Sequence, residues 1–297
     1  MQLPTFLIIG IQKAGTTSIY QYLKQHPQIY MSPVKETNFL EKDWSKIPPD
    51  PRNKRKKSKI DTFDKYSQLF QDVNDEIAIG EASPNYLFHY LSSAELIQHY
   101  LPQAKMIAIL RNPADRAHSD YLMHIRDGIG NGRSLAEQIK FKANSSFTIR
   151  KGFYYTPLKH YFDTFSQEQI KIYLYDDLCN NPVALMQDMY QFIGVDDNFH
   201  PDTSKKYQVA QVPKIKFVNT ILRKKNRSKT IVSSILKYLL PPTLKESIRS
   251  SLIKINSKDK QQALLASEDR QQLVALYRED ILKLQDLIQR DLSSWLS

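Results

Sequence analysis

Cysteine is almost missing from this chain of 297 residues: Cys179 stands alone. That excludes an internal disulfide framework and any cysteine-rich metal site. Long apolar runs are missing too. No stretch reaches the roughly 18 apolar residues that a membrane-spanning helix needs. The opening, MQLPTFLIIG, has no basic lead, too short an apolar run and no small-residue cleavage site. No secretory leader is therefore expected, and a cytoplasmic protein is predicted. Long linkers, internal repeats and low-complexity tracts are also lacking. With 41% hydrophobic and 25% charged residues, the composition is that of a globular chain, not a disordered, collagen-like or coiled-coil one. One domain over 1–297 is the expectation.

Acid is absent locally. From Lys205 to Lys245 there are eleven Lys/Arg and no Asp or Glu, while the rest of the chain balances at 31 basic and 31 acidic residues. The net charge of +11 is thus concentrated, with a second cluster of six basic residues at Arg52–Lys59. Such patches attract phosphate, sulfate, nucleic acid or an anionic membrane, or are simply solvated. Within 205–245 the aromatics are Tyr207, Phe217 and Tyr238. They are too sparse for a base-stacking platform, so no nucleic-acid partner is expected.

What is present is a repeated strand–helix pattern. Residues 5–10 read as a strand and 16–25 as a helix with Thr16 as its N-cap and Ile19, Tyr22 and Leu23 on one face. Residues 45–60 are polar and basic and read as an exposed loop. Strands are predicted at 76–80, 106–110 and 170–175, the second a continuous apolar run as in a strand covered on both faces. Asn112-Pro113 provides an N-cap and a first-turn proline, and a helix from Pro182 stops at Gly194. A short amphipathic helix is predicted at 231–240 and a long one at about 268–291. Alternating strands and helices imply an α/β fold with a parallel, helix-flanked sheet.

The chemistry concentrates after the first strand, in Gly10-Ile11-Gln12-Lys13-Ala14-Gly15-Thr16-Thr17-Ser18. A loop opening a helix presents backbone N–H groups to an anion, and the helix dipole favours negative charge there. Lys13 adds a point charge, and Thr16, Thr17 and Ser18 add hydroxyl donors. The pattern differs from the nucleoside-triphosphatase loop, because the lysine precedes the second glycine. No clear acidic strand end is placed to hold magnesium. The seven histidines have no metal spacing, no G-x-S-x-G elbow occurs, and no metal is expected. His118, His124 and Cys179 receive no role.

The loop resembles the 5′-phosphosulfate loop of sulfotransferases that use 3′-phosphoadenosine 5′-phosphosulfate (PAPS). A second signature of that family, an arginine ending a buried strand and a serine eight residues on, matches Arg111 and Ser119. The likeness continues through Lys35-Glu36-Thr37-Asn38-Phe39, Gly80 to Tyr86, Gly152-Phe153-Tyr154 and Tyr175 to Leu178. It covers roughly 4–200, leaving a basic helical part at about 205–297. The set is most similar to the bacterial and heparan-sulfate-type carbohydrate branch. The resemblance implies a P-loop-like, three-layer fold with a central parallel sheet of about five strands. It implies transfer of a sulfuryl group to a hydroxyl or amine, with adenosine 3′,5′-bisphosphate as the product.

Carried over residue by residue, Lys13, Ala14, Gly15, Thr16, Thr17 and Ser18 hold the 5′-phosphosulfate, and Lys13 stabilises the departing oxygen. Arg111 and Ser119 take the 3′-phosphate, as suits a planar guanidinium. Lys205 touches the donor's 3′-end. Glu36 is the candidate general base, a role that contributes ~10²–10⁴-fold; its bland reading is a surface glutamate paired with Lys35. The family's histidine in that segment is Asn38 here. Glu81 is the alternative base, with Ala82 where related enzymes have lysine. Tyr154 and Arg116 line the site or serve as core and helix-surface residues. The acceptor is left open between an anionic glycan, a glycoside, a lipid, a carrier-bound chain and a peptide tyrosine. Stretch 205–245 suits peripheral membrane contact. The rival readings are a P-loop kinase and a non-enzymatic polyanion-binding protein.

Overall fold

The computed structural model describes residues 2–44, 60–127, 133–142, 145–204, 212–213, 257–258 and 264–297. The exposed loop at 45–60 (all but residue 60), the helix at 231–240, Lys205 and nearly all of the basic stretch lie outside the described residues. The chain divides into two compact units, 1–116 with 151–208 and 274–297, and 117–150 with 209–273.

The first unit is built on a five-stranded sheet. Its strands are β1 (Phe6–Gly10), β2 (Ile29–Met31), β3 (Ala78–Ala82), β4 (Lys105–Leu110) and β5 (Ile170–Leu174), in the order β2-β3-β1-β4-β5 and all parallel. The central strands are covered on both faces: β1 and β3 are buried throughout, and β1 is an apolar run accordingly. Helix α1 (Thr16–Leu23) follows β1 and α3 (Tyr90–Tyr100) follows β3, with the short α2 (Phe63–Ser67) before β3. Right-handed crossovers leaving the centre in opposite directions put α1 and α3 on opposite faces. Accordingly α3 packs with α7 (Tyr155–Thr164), and α1 packs with α9 (Pro182–Ile193), which follows the short α8 (Tyr175–Asn180). The chain reverses direction about β1, so the carboxyl end of β1 is where a ligand crevice is expected.

In the second unit, the end of α4 (Pro113–Asp127) is followed by α5 (Leu135–Lys142) and α6 (Phe147–Arg150). Within it, Thr148 Oγ1 and His124 Nδ1 lie 3.3 Å apart in a hydrogen bond.

Several sequence expectations are met atom by atom. Asn112 Oδ1 accepts from the Ala114 and Asp115 amides at 2.9 and 3.3 Å, capping α4 ahead of Pro113. Gly194 closes α9 in a left-handed conformation. Others are corrected. The residue before α1 is Gly15, at φ 85°, and Thr16 is already helical, not its cap. Strand β3 lies two residues later than read, because it runs through Glu81. A charged residue reads as a strand end, but here it is buried and held by hydroxyl groups. Strand β2 escaped the reading because three residues between two prolines are too few to show alternation.

The last helix, Ser267–Ile288, buries Tyr277, Ile281 and Leu284 on one face. It also reaches the site's periphery. Asp280 accepts hydrogen bonds from the amides of Tyr154 (2.7 Å) and Tyr155 (3.3 Å), capping α7 from another element. Burial pushes its carboxyl up to about 6.

Gly15 is a position where only glycine fits, for two reasons at once. Its φ of +85° disfavours side chains, and an added Cβ would stand 2.5 Å from Leu178 Cδ2. Gly15→Ala should therefore lower stability by about 1–3 kcal/mol, read from urea unfolding. A neutral substitution would show that the turn tolerates a side chain.

Candidate functional site

The turn after β1 is a loop with two left-handed residues, Lys13 (φ 75°) and Gly15. The Ala14 amide closes a turn on the Ile11 carbonyl at 3.2 Å, so it is spent within the loop. The helix begins its own ladder with the Ile19 amide on the Gly15 carbonyl (3.2 Å). The amides of Thr16, Thr17 and Ser18 thus open α1 with no carbonyl one turn earlier to receive them. Thr16 is buried, and Thr17 and Ser18 are half-buried. This is an anion cradle at a helix N-terminus.

The sheet brings Arg111 to this loop across 98 residues of sequence. Its Nη1 donates to the Lys13 carbonyl at 3.1 Å. The register pairs Leu110 with Leu174, which sets the next residues, Arg111 and Tyr175, side by side. The guanidinium lies 4.7 Å above the Tyr175 ring, an arrangement worth ~0.5–2 kcal/mol. Tyr154 is buried, and its hydroxyl donates to the Arg111 carbonyl at 2.9 Å. Burial pushes that phenol well above its ordinary range. Tyr154 therefore fixes the end of β4 from within. Arg116 is also buried, in the first turns of α4. Ser119 stands in the second turn of α4, buried, and belongs to the second unit.

The two candidate carboxylates have different surroundings. Glu36, at φ 62°, is exposed and paired with Lys35 (Oε1–Nζ 2.7 Å). Its amide donates to the Ala82 carbonyl at 2.8 Å, which puts it at the carboxyl end of β3. Glu81 is fully enclosed. Its Oε1 accepts from Thr37 Oγ1 at 3.1 Å and Ser83 Oγ at 2.5 Å, while Oε2 has no partner among the described residues. Burial raises its carboxyl to about 7, against the opposing pull of the Ser83, Tyr86 and Thr37 hydroxyls. Those hydroxyls also hold the Glu36 segment: Ser83 Oγ accepts from the Asn38 amide, Thr37 Oγ1 from the Phe39 amide and Tyr86 from the Leu40 amide. Phe39 stacks on Tyr66 at 4.5 Å and completes the anchor.

Three contributors carry no role in the sequence reading. Tyr175 and Asp280 act through Arg111 and α7. Lys151 donates to Gln12 Oε1 at 2.6 Å. The available signals were position alone: Tyr175 and Lys151 border segments singled out above. Among the described residues no group of three His, Cys, Asp or Glu is arranged to hold a metal, and no helix is long and apolar enough to cross a membrane.

Comparison with known proteins adds the following. The model of the Sulfotransferase family matches residues 4–200. The human bifunctional heparan sulfate N-deacetylase/N-sulfotransferase 2 is 29% identical over 212 residues, covering 65% of this chain and 22% of the relative. Mouse carbohydrate sulfotransferase 15 is 26% identical over 246 residues, 65% of this chain and 44% of the relative. The chain thus spans less than half the length of either. The crystal structure of a sulfotransferase from Alicyclobacillus acidocaldarius is 28% identical, covers 100% of both chains and superimposes with a TM-score of 0.71.

The surroundings of Glu81 predict a pH signature. The folded protein binds its proton up to about pH 7, the unfolded chain only to about 4.5. Between these values the folded state holds more proton, so this group's contribution to stability falls as pH rises. Glu81→Gln keeps the Oε1 acceptor and abolishes the ionisation. Its melting temperature relative to wild type should climb from pH 5 to pH 8. A constant difference across that range would mean that Glu81 titrates normally.

Proposed function

Because the chain belongs to the sulfotransferase family, we propose that it moves a sulfuryl group from PAPS to a hydroxyl or amine of a carbohydrate acceptor. The enzyme class follows from the family. The donor reading is supported by one observation: the helix-opening loop with Lys13 is joined directly to Arg111, an arrangement suited to a ligand phosphorylated at two positions. The carbohydrate reading is supported by the relatives, whose names place their chemistry on heparan sulfate and carbohydrate.

In this reading the amides and hydroxyls of Gly15 to Ser18 hold the 5′-phosphosulfate, and Arg111 with Ser119 and Lys205 holds the 3′-phosphate. Transfer is in line. The acceptor oxygen or nitrogen bonds to sulfur while the bond from sulfur to the bridging oxygen breaks, and that electron pair stays on the 5′-phosphate. Lys13 neutralises the charge growing there, and the acceptor's proton passes to Glu36. Positioning and charge stabilisation supply most of the acceleration, as in phosphoryl transfer. Glu36 is the base because it is accessible, whereas Glu81 is enclosed and braces the Glu36 segment. The basic stretch 205–245 suits an anionic glycan, a carrier-bound acceptor or an anionic membrane surface.

The test is transfer of labelled sulfate from PAPS onto a panel of glycans with free hydroxyls and amines. Labelling of none of them, with PAPS bound, would remove the carbohydrate acceptor. Binding comes first. Adenosine 3′,5′-bisphosphate should raise the melting temperature, by the equivalent of about 2.7 kcal/mol at 100-fold over its dissociation constant. AMP, lacking the 3′-phosphate, should do far less, and Arg111→Ala should erase the difference. Equal shifts from the two nucleotides would reject the role of Arg111.

Two further variants probe the chemistry. Lys13→Ala should lose turnover. Glu36→Gln should lower kcat by about 10²–10⁴-fold with nucleotide affinity intact. An active Glu36→Gln beside a dead Glu81→Gln would transfer the base to Glu81.

A further inference from the structure

A sulfuryl group in flight carries three non-bridging oxygens, and the residues above are assigned to the phosphosulfate as a whole, not to those oxygens. Lys151 is placed to meet them. It lies between α6 and α7, half-buried, and its Nζ donates to Gln12 Oε1 at 2.6 Å. Gln12 is the residue before Lys13, so the ammonium is tied to the loop that opens α1. The same ammonium lies 5.7 Å from the centre of the Phe88 ring. Phe88 sits in the turn after β3, and the preceding residue's amide, that of Leu87, donates to the Ile9 carbonyl of β1 at 2.8 Å.

Lys151 is therefore held over the carboxyl ends of β1 and β3. These are the strand ends that carry Lys13 and Glu36, since the Glu36 amide bonds to the Ala82 carbonyl of β3. Arg111 ends β4, on the opposite side of β1. A donor with its 3′-phosphate at Arg111 and its phosphosulfate at the loop turns its sulfuryl end towards β3, where Lys151 stands.

The Gln12 amide oxygen accepts from the ammonium and so orients it. The backbone beneath Lys151 is anchored: the next residue, Gly152, leaves no space for a Cβ against the Tyr277 ring (2.6 Å to Cζ). The Tyr154 amide is tied to Asp280. A fixed charge costs little reorganisation when negative charge shifts in front of it.

We propose that Lys151 is a further catalytic residue, its ammonium contacting the non-bridging oxygens of the sulfuryl group during transfer while Gln12 aims it. The bonds made and broken are those given above; Lys151 exchanges no proton and forms no covalent bond. The inference rests on the PAPS reading of the site and goes beyond it by assigning a group that separates PAPS from its product.

That separation is the test, and it needs no acceptor. Wild type, Lys151→Met and Lys151→Arg are titrated calorimetrically with PAPS and with adenosine 3′,5′-bisphosphate. The bisphosphate has no sulfuryl group, so its affinity should change less than about twofold in Lys151→Met. PAPS should bind that variant at least tenfold more weakly than it binds wild type, and Lys151→Arg should recover most of the loss. Gln12→Leu, which removes the aim and keeps the charge, should weaken PAPS by a smaller factor and spare the bisphosphate. Equal weakening of both nucleotides in Lys151→Met would make Lys151 a structural or nucleotide-holding residue and overturn the inference. Unchanged PAPS affinity would overturn it as well. A wild type that binds neither nucleotide would instead reject the donor reading itself, and this inference with it.

Discussion

Two hydrogen bonds hold the loop between β1 and α1, and the arrangement of the site depends on them. Arg111 donates to the Lys13 carbonyl from the β4 side, and Lys151 donates to the Gln12 side chain from the β3 side. Between them the loop adopts left-handed conformations at Lys13 and Gly15, which an unbraced chain visits rarely. Bracing from both flanks keeps the opening amides of α1 aimed in one direction. The two donors are cations, so the same contacts that shape the loop make its surroundings positive. The atoms that shape the loop thus also set its charge.

A division of labour between two carboxylates follows from burial. Glu81 lies in a buried strand, where ionisation is costly, and its oxygen is engaged by hydroxyls. Those hydroxyls accept the backbone amides of residues 38–40, so the buried acid organises the segment that carries Glu36. Glu36 stays in contact with solvent and with Lys35. On the proposed assignment the base must meet its substrate, which Glu36 can do, and an acid that sets geometry need not. The order Lys35-Glu36-Thr37 carries this difference: alternate residues point in different directions, and only Thr37 turns inward to Glu81.

The last helix and the turn after it show how a remote segment supports the same site. Asp280 caps α7, Tyr277 closes over Gly152, and Trp295 packs 6.3 Å from the Tyr154 ring. Tyr154 in turn bonds to the Arg111 carbonyl. Rigidity at Arg111 therefore comes from the far end of the chain, through contacts that contribute no charge to the ligand.

Much of this was legible in the residues. Strands β1, β4 and β5 are apolar or alternating runs, Asn112-Pro113 and Gly194 mark helix ends, and the cradle is announced by Lys13, Gly15 and three hydroxyl residues in succession. These signals are local, set by hydrophobic period, capping and backbone freedom, so the sequence by itself determined the α/β class and the loop that opens α1. Strand β2 was too short to show a period, and Glu81 looked like a strand end because its stabilising hydroxyls come from Thr37 and Tyr86 as well as from its neighbour Ser83. The pairing of Arg111 with Lys13, the placement of Lys151 on Gln12 and the capping of α7 by Asp280 were decided only by the tertiary structure. Each joins residues about 100 or more positions apart, and such contacts depend on strand order and register, which no local pattern of side chains encodes.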